Sequence, residues 1–464
     1  MRLKNILSLL LLSSCFLTAC EKLEVKPPDL VDPSEAIKTE QDVKDLLNGC
    51  FTVLRDNGFM GGQVQITSEL MSDLVNGSNL TGDYFNIFQF NSAGINTTTD
   101  QYNKPYTVIQ RANNTLENLS LVTSSDENRK NVEGQARFVR ALSFFEMIKL
   151  YAQPWGYTAD NSHAGLVIKT DSDLETALPR NTVKEVYDFI LTDLRSADAL
   201  LPALNGNYPG NLASKALLAK VFFQMNKFDS AYFYANEVIS SGQFSFENTA
   251  SFITNRFNNP KTPESIFWLV FEQGWTGSFD RLSNPANRDQ SMGITITQQA
   301  FETGTINTND RRRAWYKDSL VAATGAHVYS VRKYSNPLFV LPLMHITEMK
   351  LIRSESAAEL NQYLDVAIAD INDITNRAYA GTMAALPGTA TGTTIKTRVR
   401  SERILEMVFE SGDRLQEIKR IGAKGEPSSS RSAQWNCNGM VLQFPATETN
   451  VNSNFIQNPT GSCL

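Results

Sequence analysis

The chain is 464 residues long, with 42% hydrophobic and 20% charged residues, the balance of an ordinary globular protein with material for a large core. Its formal charge of −6 argues against a nucleic-acid partner. Past the N-terminal segment no apolar run approaches the ~18 residues of a spanning helix, the best being Ser265 to Phe271 and Leu338 to Met344.

At the N-terminus Arg2 and Lys4 precede an apolar run from Ile6 to Leu17. That run is shorter than the roughly 20 residues a bilayer asks for and has the length of a signal-peptide core. Leu17-Thr18-Ala19-Cys20 follows, a pattern that resembles a bacterial lipobox, in which cleavage falls before a lipid-bearing cysteine. The expectation is a signal peptide over 1–19 and a lipid on Cys20, the only membrane anchor; the alternative is an ordinary signal peptide with a chance cysteine. Residues 20–33 read as an extended tether, since Pro27, Pro28 and Pro33 fix φ and disfavour helix before them. Loss of Arg2 and Lys4 with the signal takes the formal charge from −6 to −8.

The body reads as mainly helical, with little of the apolar alternation of strands. One helix is expected from about Asn131 to Tyr151, where Ala136, Val139, Leu142, Phe145 and Ile148 recur at spacings of three and four and Pro154 follows. Glu133 stands four residues before Arg137, the favourable order for a helical ion pair. A second helix begins near Thr182, positioned to form a capping box with Glu185, and stops at Pro202. Asn211 to Ser241 reads as a helical hairpin whose Ala219 and Ala231, among Leu218, Phe222, Phe228, Ala235 and Val238, are similar to one tetratricopeptide repeat; a chance hairpin is the alternative. His345 to Tyr379 is a weaker second hairpin, with Ala367 in place but Glu355 where the first small residue belongs.

Between these helices lie polar stretches at Asn76 to Tyr102, Trp275 to Asp310, Gly381 to Thr397 and Ala423 to Asn438, read as loops. They hold Tyr84, Phe85, Phe88, Trp275, Phe279 and Trp435, aromatic faces suited either to stacking on a sugar or to pinning the loops down. Residue chemistry makes Asp73, Tyr84, Asn86 and Trp275 the candidate ligand-binding residues.

Chemistry-bearing motifs are few. His163, His327 and His345 stand at no metal-ligand spacing, and there is no nucleophile elbow, P-loop or dinucleotide fingerprint, so neither a metal nor a cofactor is expected. Glu402, Glu406 and Glu410 recur every four residues and share one helix face; interleaved with Arg398, Arg403 and Arg414, they read as a structural charge network rather than a glycosidase pair. Apart from Cys15 and Cys20 the cysteines are Cys50, Cys437 and Cys463. A bridge between Cys437 and Cys463, both in the C-terminal tail, is one reading; buried or free thiols are the other.

Taken in order, several blocks resemble the SusD/RagB family of outer-membrane nutrient-uptake lipoproteins of Bacteroidetes. They are Tyr106 to Asn114, Glu133 to Ala141 with Phe144-Phe145, the hairpin from Ala213 to Ile239, Pro263 to Phe267, Asp370 to Ala378, Ser401 to Arg420, and Ile456 to Pro459. At Tyr151-Ala-Gln-Pro154-Trp155 the chain departs from the family's usual Tyr-Gly-Asp-x-Pro. The resemblance implies one SusD-like domain over 34–464, with an N-terminal part of about 34–242 and a C-terminal part of about 260–464. It implies a tetratricopeptide-like helical hairpin scaffold with long irregular ligand-binding loops. It also implies a non-enzymatic protein, lipid-anchored and facing the cell exterior, that captures oligosaccharides or peptides for a SusC-like TonB-dependent barrel transporter. A surface glycan-degrading enzyme and a repeat scaffold binding only proteins are the alternatives.

Overall fold

The computed structural model describes residues 37–463 apart from 79, 92–97, 173–175, 260–261, 272–292, 323 and 335–338. The signal peptide, Cys20, the tether, Trp275 and Phe279 thus lie outside the described residues.

Helix α1 (Glu40–Leu54) starts at a capping box of Thr39 and Asp42 and is followed by α2 (Gln63–Leu70). A short strand β1 (Val75–Asn76) and helix α3 (Gly82–Phe88) come next. The stretch expected to be loop from Asn76 to Tyr102 therefore holds a helix, and α4 (Thr98–Glu117) begins inside it. Helix α5 (Asp126–Tyr151) starts a turn and a half earlier than its apolar periodicity suggests, because Ser125 caps Asn128 N–H and Asp126 and Glu127 fill the first turn. Thr182 and Glu185 form the anticipated capping box of α6 (Val183–Leu200).

The long helices pack as successive pairs. Arg140 ties three of them together, donating from Nε and Nη2 to both Asp193 oxygens at 2.7 and 2.8 Å and from Nη1 to Asn113 at 2.6 Å. Arg137 bonds Glu133, as its spacing predicts, and reaches Asp193 as well. Helices α7 (Asn211–Gln224) and α8 (Phe228–Ser240) form the expected hairpin, with Ala219 and Ala231 both fully buried and Phe222 stacked on Tyr234 at 5.6 Å. After α9 (Phe252–Asn258), helices α11 (Ile346–Leu360) and α12 (Leu364–Ala378) form a second hairpin, and α11 packs on α8. Glu355, out of place in the repeat pattern, is wholly buried there and accepts from Arg420 at 2.7 Å and Arg400 at 3.0 Å.

Sheets occupy the intervals. The apolar runs at 265 and 338 pair antiparallel as β2 (Ser265–Phe271) and β6 (Phe339–His345). A second, four-stranded sheet has the order β1-β3-β5-β4, from β3 (Thr295–Ile296), β4 (Tyr316–Val321) and β5 (Ala326–Val331). Helix α10 (Gln298–Thr305) follows β3, so the stretch expected to be loop from Trp275 to Asp310 holds a short strand and a helix. The stretch from Gly381 likewise gives way at Gly392 to α13 (Gly392–Glu406), which leads to α14 (Asp413–Ala423). Beyond it Ala423 to Asn438 contains a hairpin of β7 (Ser429–Ser430) and β8 (Ala433–Gln434), and α15 (Ala446–Val451) closes the fold. The main hydrophobic core runs from Val43 to Phe455, and a second, smaller one gathers Leu351 and Ala357 of α11, Ala367 and Ile371 of α12 and Ile395 and Val399 of α13. Cys437 and Cys463 are joined by a disulfide, and Cys50 is buried and free.

Candidate ligand-binding site

The site begins with the turn of the β7–β8 hairpin. Arg431 and Ser432 have φ of +46° and +76°, a two-residue turn of the kind glycine or asparagine usually makes. The turn carries Arg431 onto the 70–90 segment, where its guanidinium donates to the carbonyls of Leu70 at 3.1 Å, Phe88 at 2.6 Å, and Ser72. It also covers the rings of Phe88 and Phe90, at 4.1 and 4.5 Å from their centroids. Burial lowers its pKa to about 10 against the pull of the Asp73 carboxylate, so it stays charged at neutral pH. Ser430 Oγ adds a bond to the Met71 carbonyl at 2.9 Å.

Gly77 makes the close approach possible on the other side: a Cβ there would lie 2.2 Å from the Phe88 ring. The 71–91 segment is thereby held as a built surface, with β1 paired to β3 and Thr297 N–H bonded to the Leu74 carbonyl at 2.8 Å.

The sequence-derived candidates fall unevenly on this surface. Asp73 is half-buried in a bidentate pair with Arg414, at 2.8 and 2.7 Å, and Arg414 also holds Glu417 at 2.6 Å. The pair lines a cavity of about 190 Å³ with Thr297, Gln299, Thr303 and Tyr316. Tyr84 donates its hydroxyl to Gln63 Oε1 at 3.2 Å, at the head of a buried relay from Gln63 to Thr67 and on to Gln101. Its ring packs on the core, so the hydroxyl points inward. Asn86 is half-exposed on the same helix, beside Phe85, which is 41% exposed. Phe88 and Trp435 are half-buried and pin their segments: Phe88 lies under Arg431, and the Trp435 ring fills the space beside Gly422. Sequence reasoning missed Arg431 because it sits in a short polar run with no turn-forming dipeptide.

Helix α13 ends at Glu406, so Glu410 lies in the turn beyond it and the three carboxylates do not share one helix face as expected, though all three are buried. Glu402 accepts from Arg312 at 2.7 Å; Glu406 is met by Arg256, Arg312 and Arg377 at 3.1 to 3.3 Å; Glu410 is met by Lys333 at 2.5 Å and by His345 at 3.1 Å. Burial opposes ionisation of Glu406, but the guanidinium groups of Arg377, Arg256 and Arg312 outweigh it and hold the pKa at about 2. The network is structural, as expected, but its partners are not the interleaved arginines. Arg398 and Arg403 leave α13 on its other faces, to touch Met383 and to pair with Asp413, while Arg414 belongs to α14 and holds Asp73 and Glu417. No group of three or more His, Cys, Asp or Glu among the described residues is placed to hold a metal.

A scaffold of paired helices, with a loop surface assembled from chain-distant segments, defines the class. A family profile described as "Starch-binding associating with outer membrane" matches residues 23–223, and the SusD family profile matches residues 300–460. SusD-like protein P2 of Formosa agariphila is 23% identical over 96% of this chain and 97% of its own length. A SusD superfamily protein of Bacteroides vulgatus superposes with a TM-score of 0.80 at 20% identity, covering 91% of this chain and 99% of that one. A SusD-like carbohydrate binding protein of the same organism gives 0.76 at 17% identity over 90% and 98%. Surface glycan-binding protein A of Bacteroides uniformis gives 0.72 at 17% identity over 90% and 99%. The chain belongs to the SusD/RagB family, and the profile matching its N-terminal part is described as associating with the outer membrane. No helix among the described residues is long and apolar enough to cross a membrane.

Proposed function

We propose that this protein is a non-enzymatic surface lipoprotein, anchored to the outer membrane through Cys20 and facing the cell exterior. There it captures an oligosaccharide, or alternatively a peptide, and delivers it to a SusC-like TonB-dependent barrel. The observation that carries this reading is the meeting of the 71–91 segment with the β7–β8 hairpin and β3, which presents Phe85 and Asn86 outward from a surface fixed by Arg431. An exposed ring beside an amide suits a sugar, whose C–H face stacks while its hydroxyls exchange hydrogen bonds with the amide. Pairing of the buried Glu402, Glu406 and Glu410 with cations supports binding over hydrolysis, since a glycosidase needs its acid pair open to substrate.

The test pairs purification with binding. The native protein should bring down a barrel transporter from outer membranes and bind glycans on an array, and Phe85→Ala with Asn86→Ala should weaken binding about tenfold, the ~1.4 kcal/mol scale of a lost stacking contact. Copurified barrel with neither glycan nor peptide binding would favour a purely protein-binding scaffold. Cys20→Ala should release folded protein from the outer membrane; retention of that variant through a carbonate wash would refute lipid anchoring at this residue.

A further inference from the structure

A second groove shares no lining residue with the cavity at Asp73. One wall is α1. This helix buries Val43, Leu47, Cys50 and Leu54, while Asn48, Phe51, Thr52 and its C-cap Arg55 follow the i, i+3, i+4, i+7 spacing of a separate stripe. The turn between α6 and α7 supplies another wall. It bends at Gly206, with φ of +65°, and presents Tyr208, which is 43% exposed. The Tyr208 ring stands edge-on to Phe51 with centroids 5.1 Å apart, and its hydroxyl donates to Asn48 Oδ1 at 3.1 Å. The third wall is β2, where alternation turns Phe267 and Leu269 inward and leaves Trp268 half-buried and Val270 38% exposed. Arg55 ties the helix to the strand by donating to the Val270 carbonyl at 3.4 Å.

The open groove has a volume of about 820 Å³, within the ~300–1,000 Å³ of small-ligand sites. Three aromatic rings, Phe51, Tyr208 and Trp268, face a lining whose polar side chains include the amides of Asn48, Asn207 and Asn259. Amides offer a donor and an acceptor together, as a sugar hydroxyl requires. Among the described residues of the lining Arg55 is the one charged side chain, and none is a carboxylate. We infer that this groove is a second ligand site, for a neutral oligosaccharide stacked on Tyr208 and Trp268 and hydrogen-bonded by the surrounding asparagines. It rests on the reading that the protein binds glycans, and it adds a separate contact on different elements.

The experiment uses the mature protein on an array of defined neutral oligosaccharides (α- and β-glucans, mannans, galactans and xylans) with a parallel set of short peptides. Native protein is compared with Tyr208→Ala plus Trp268→Ala, with Tyr208→Phe, and with Phe85→Ala plus Asn86→Ala, each checked by circular dichroism and thermal melting. The inference expects at least one neutral oligosaccharide whose affinity falls about tenfold or more in the Tyr208/Trp268 variant while Tyr208→Phe, which keeps the ring, stays within a few-fold of native. If a bound oligosaccharide is lost only in the Phe85/Asn86 variant, this inference falls and the loop site stands. If the native protein binds no neutral oligosaccharide, or if the groove variant loses only peptide binding, the inference falls as well.

Discussion

At the residue scale, two buried ionisable groups set opposite pH slopes. Glu69 of α2 is 1% exposed, with one oxygen accepting from Gln65 at 2.7 Å. Burial, reinforced by the charge of Asp413, raises its pKa to about 8. The folded state thus keeps a proton that the unfolded chain releases near 4.5. Its contribution is full below that value and is lost as pH climbs through about 8. Glu69→Gln should therefore overtake the native protein in melting temperature by pH 9 and show a flatter profile between pH 6 and 9; a pH-independent difference would contradict this. Lys419 is buried with its ammonium bonded to the Lys149 carbonyl at 2.9 Å, and burial, helped by the Lys149 charge, lowers its pKa to about 7. Here the cost of a buried charge is greatest below about 7 and vanishes above the ordinary 10.5. Lys419→Met should stabilise the fold at pH 6 by a few kcal/mol, with the advantage shrinking toward pH 10 in denaturant titrations.

At the scale of elements, legibility followed signal length. Helices α5 to α8 are readable because many residues repeat at helical spacing and Thr182, Pro154 and Pro202 punctuate them, whereas the start of α5 at Ser125 lies outside its apolar repeat. Strands β1 and β3 are two residues each, too short to show alternation in the sequence. The β7–β8 turn was invisible because Arg431 and Ser432 are not the residues such turns favour; their conformation is held by the bonds Arg431 makes to distant carbonyls. The candidate site was correspondingly half-legible. Its segment was found through its aromatics, but Asp73 and Tyr84 prove to be engaged by Arg414 and Gln63, partners that nothing in local sequence indicates. Arg431→Ala should raise amide exchange across residues 71–91 while leaving the α7–α8 hairpin protected, as loss of a local clamp requires. Glu355→Ala, which leaves the buried Arg420 without its carboxylate while Arg400 keeps Glu359 and Glu426, should cost about 3 to 5 kcal/mol by chemical denaturation.

For the whole molecule, the charge network around Glu264, Glu406 and Glu410 joins α9, β2, α11, α12 and α13 at their common centre. Arginine neighbours lower the pKa of Glu264 and Glu406 despite burial, and Lys333 and His345 do the same for Glu410. Carboxylates lowered in the folded state contribute stability above their ordinary 4.5, and Glu406 loses it as pH falls through about 2. The protein should therefore unfold cooperatively as pH drops from about 4 toward 2, followed by far-ultraviolet circular dichroism. Glu406→Gln should lower neutral-pH stability by about 3 to 5 kcal/mol and flatten that acid limb.

The clamp of Arg431 on Phe88 also has a meaning in time. These residues are 343 positions apart. At roughly 5 to 20 residues per second of synthesis, the earlier segment waits on the order of 20 to 70 seconds before its partner exists. Throughout that interval the carbonyls of Leu70 and Phe88 and the rings of Phe88 and Phe90 lack their cover. The candidate surface is thus completed only when Arg431 is in place, and a chain broken off before its final forty residues would lack that clamp.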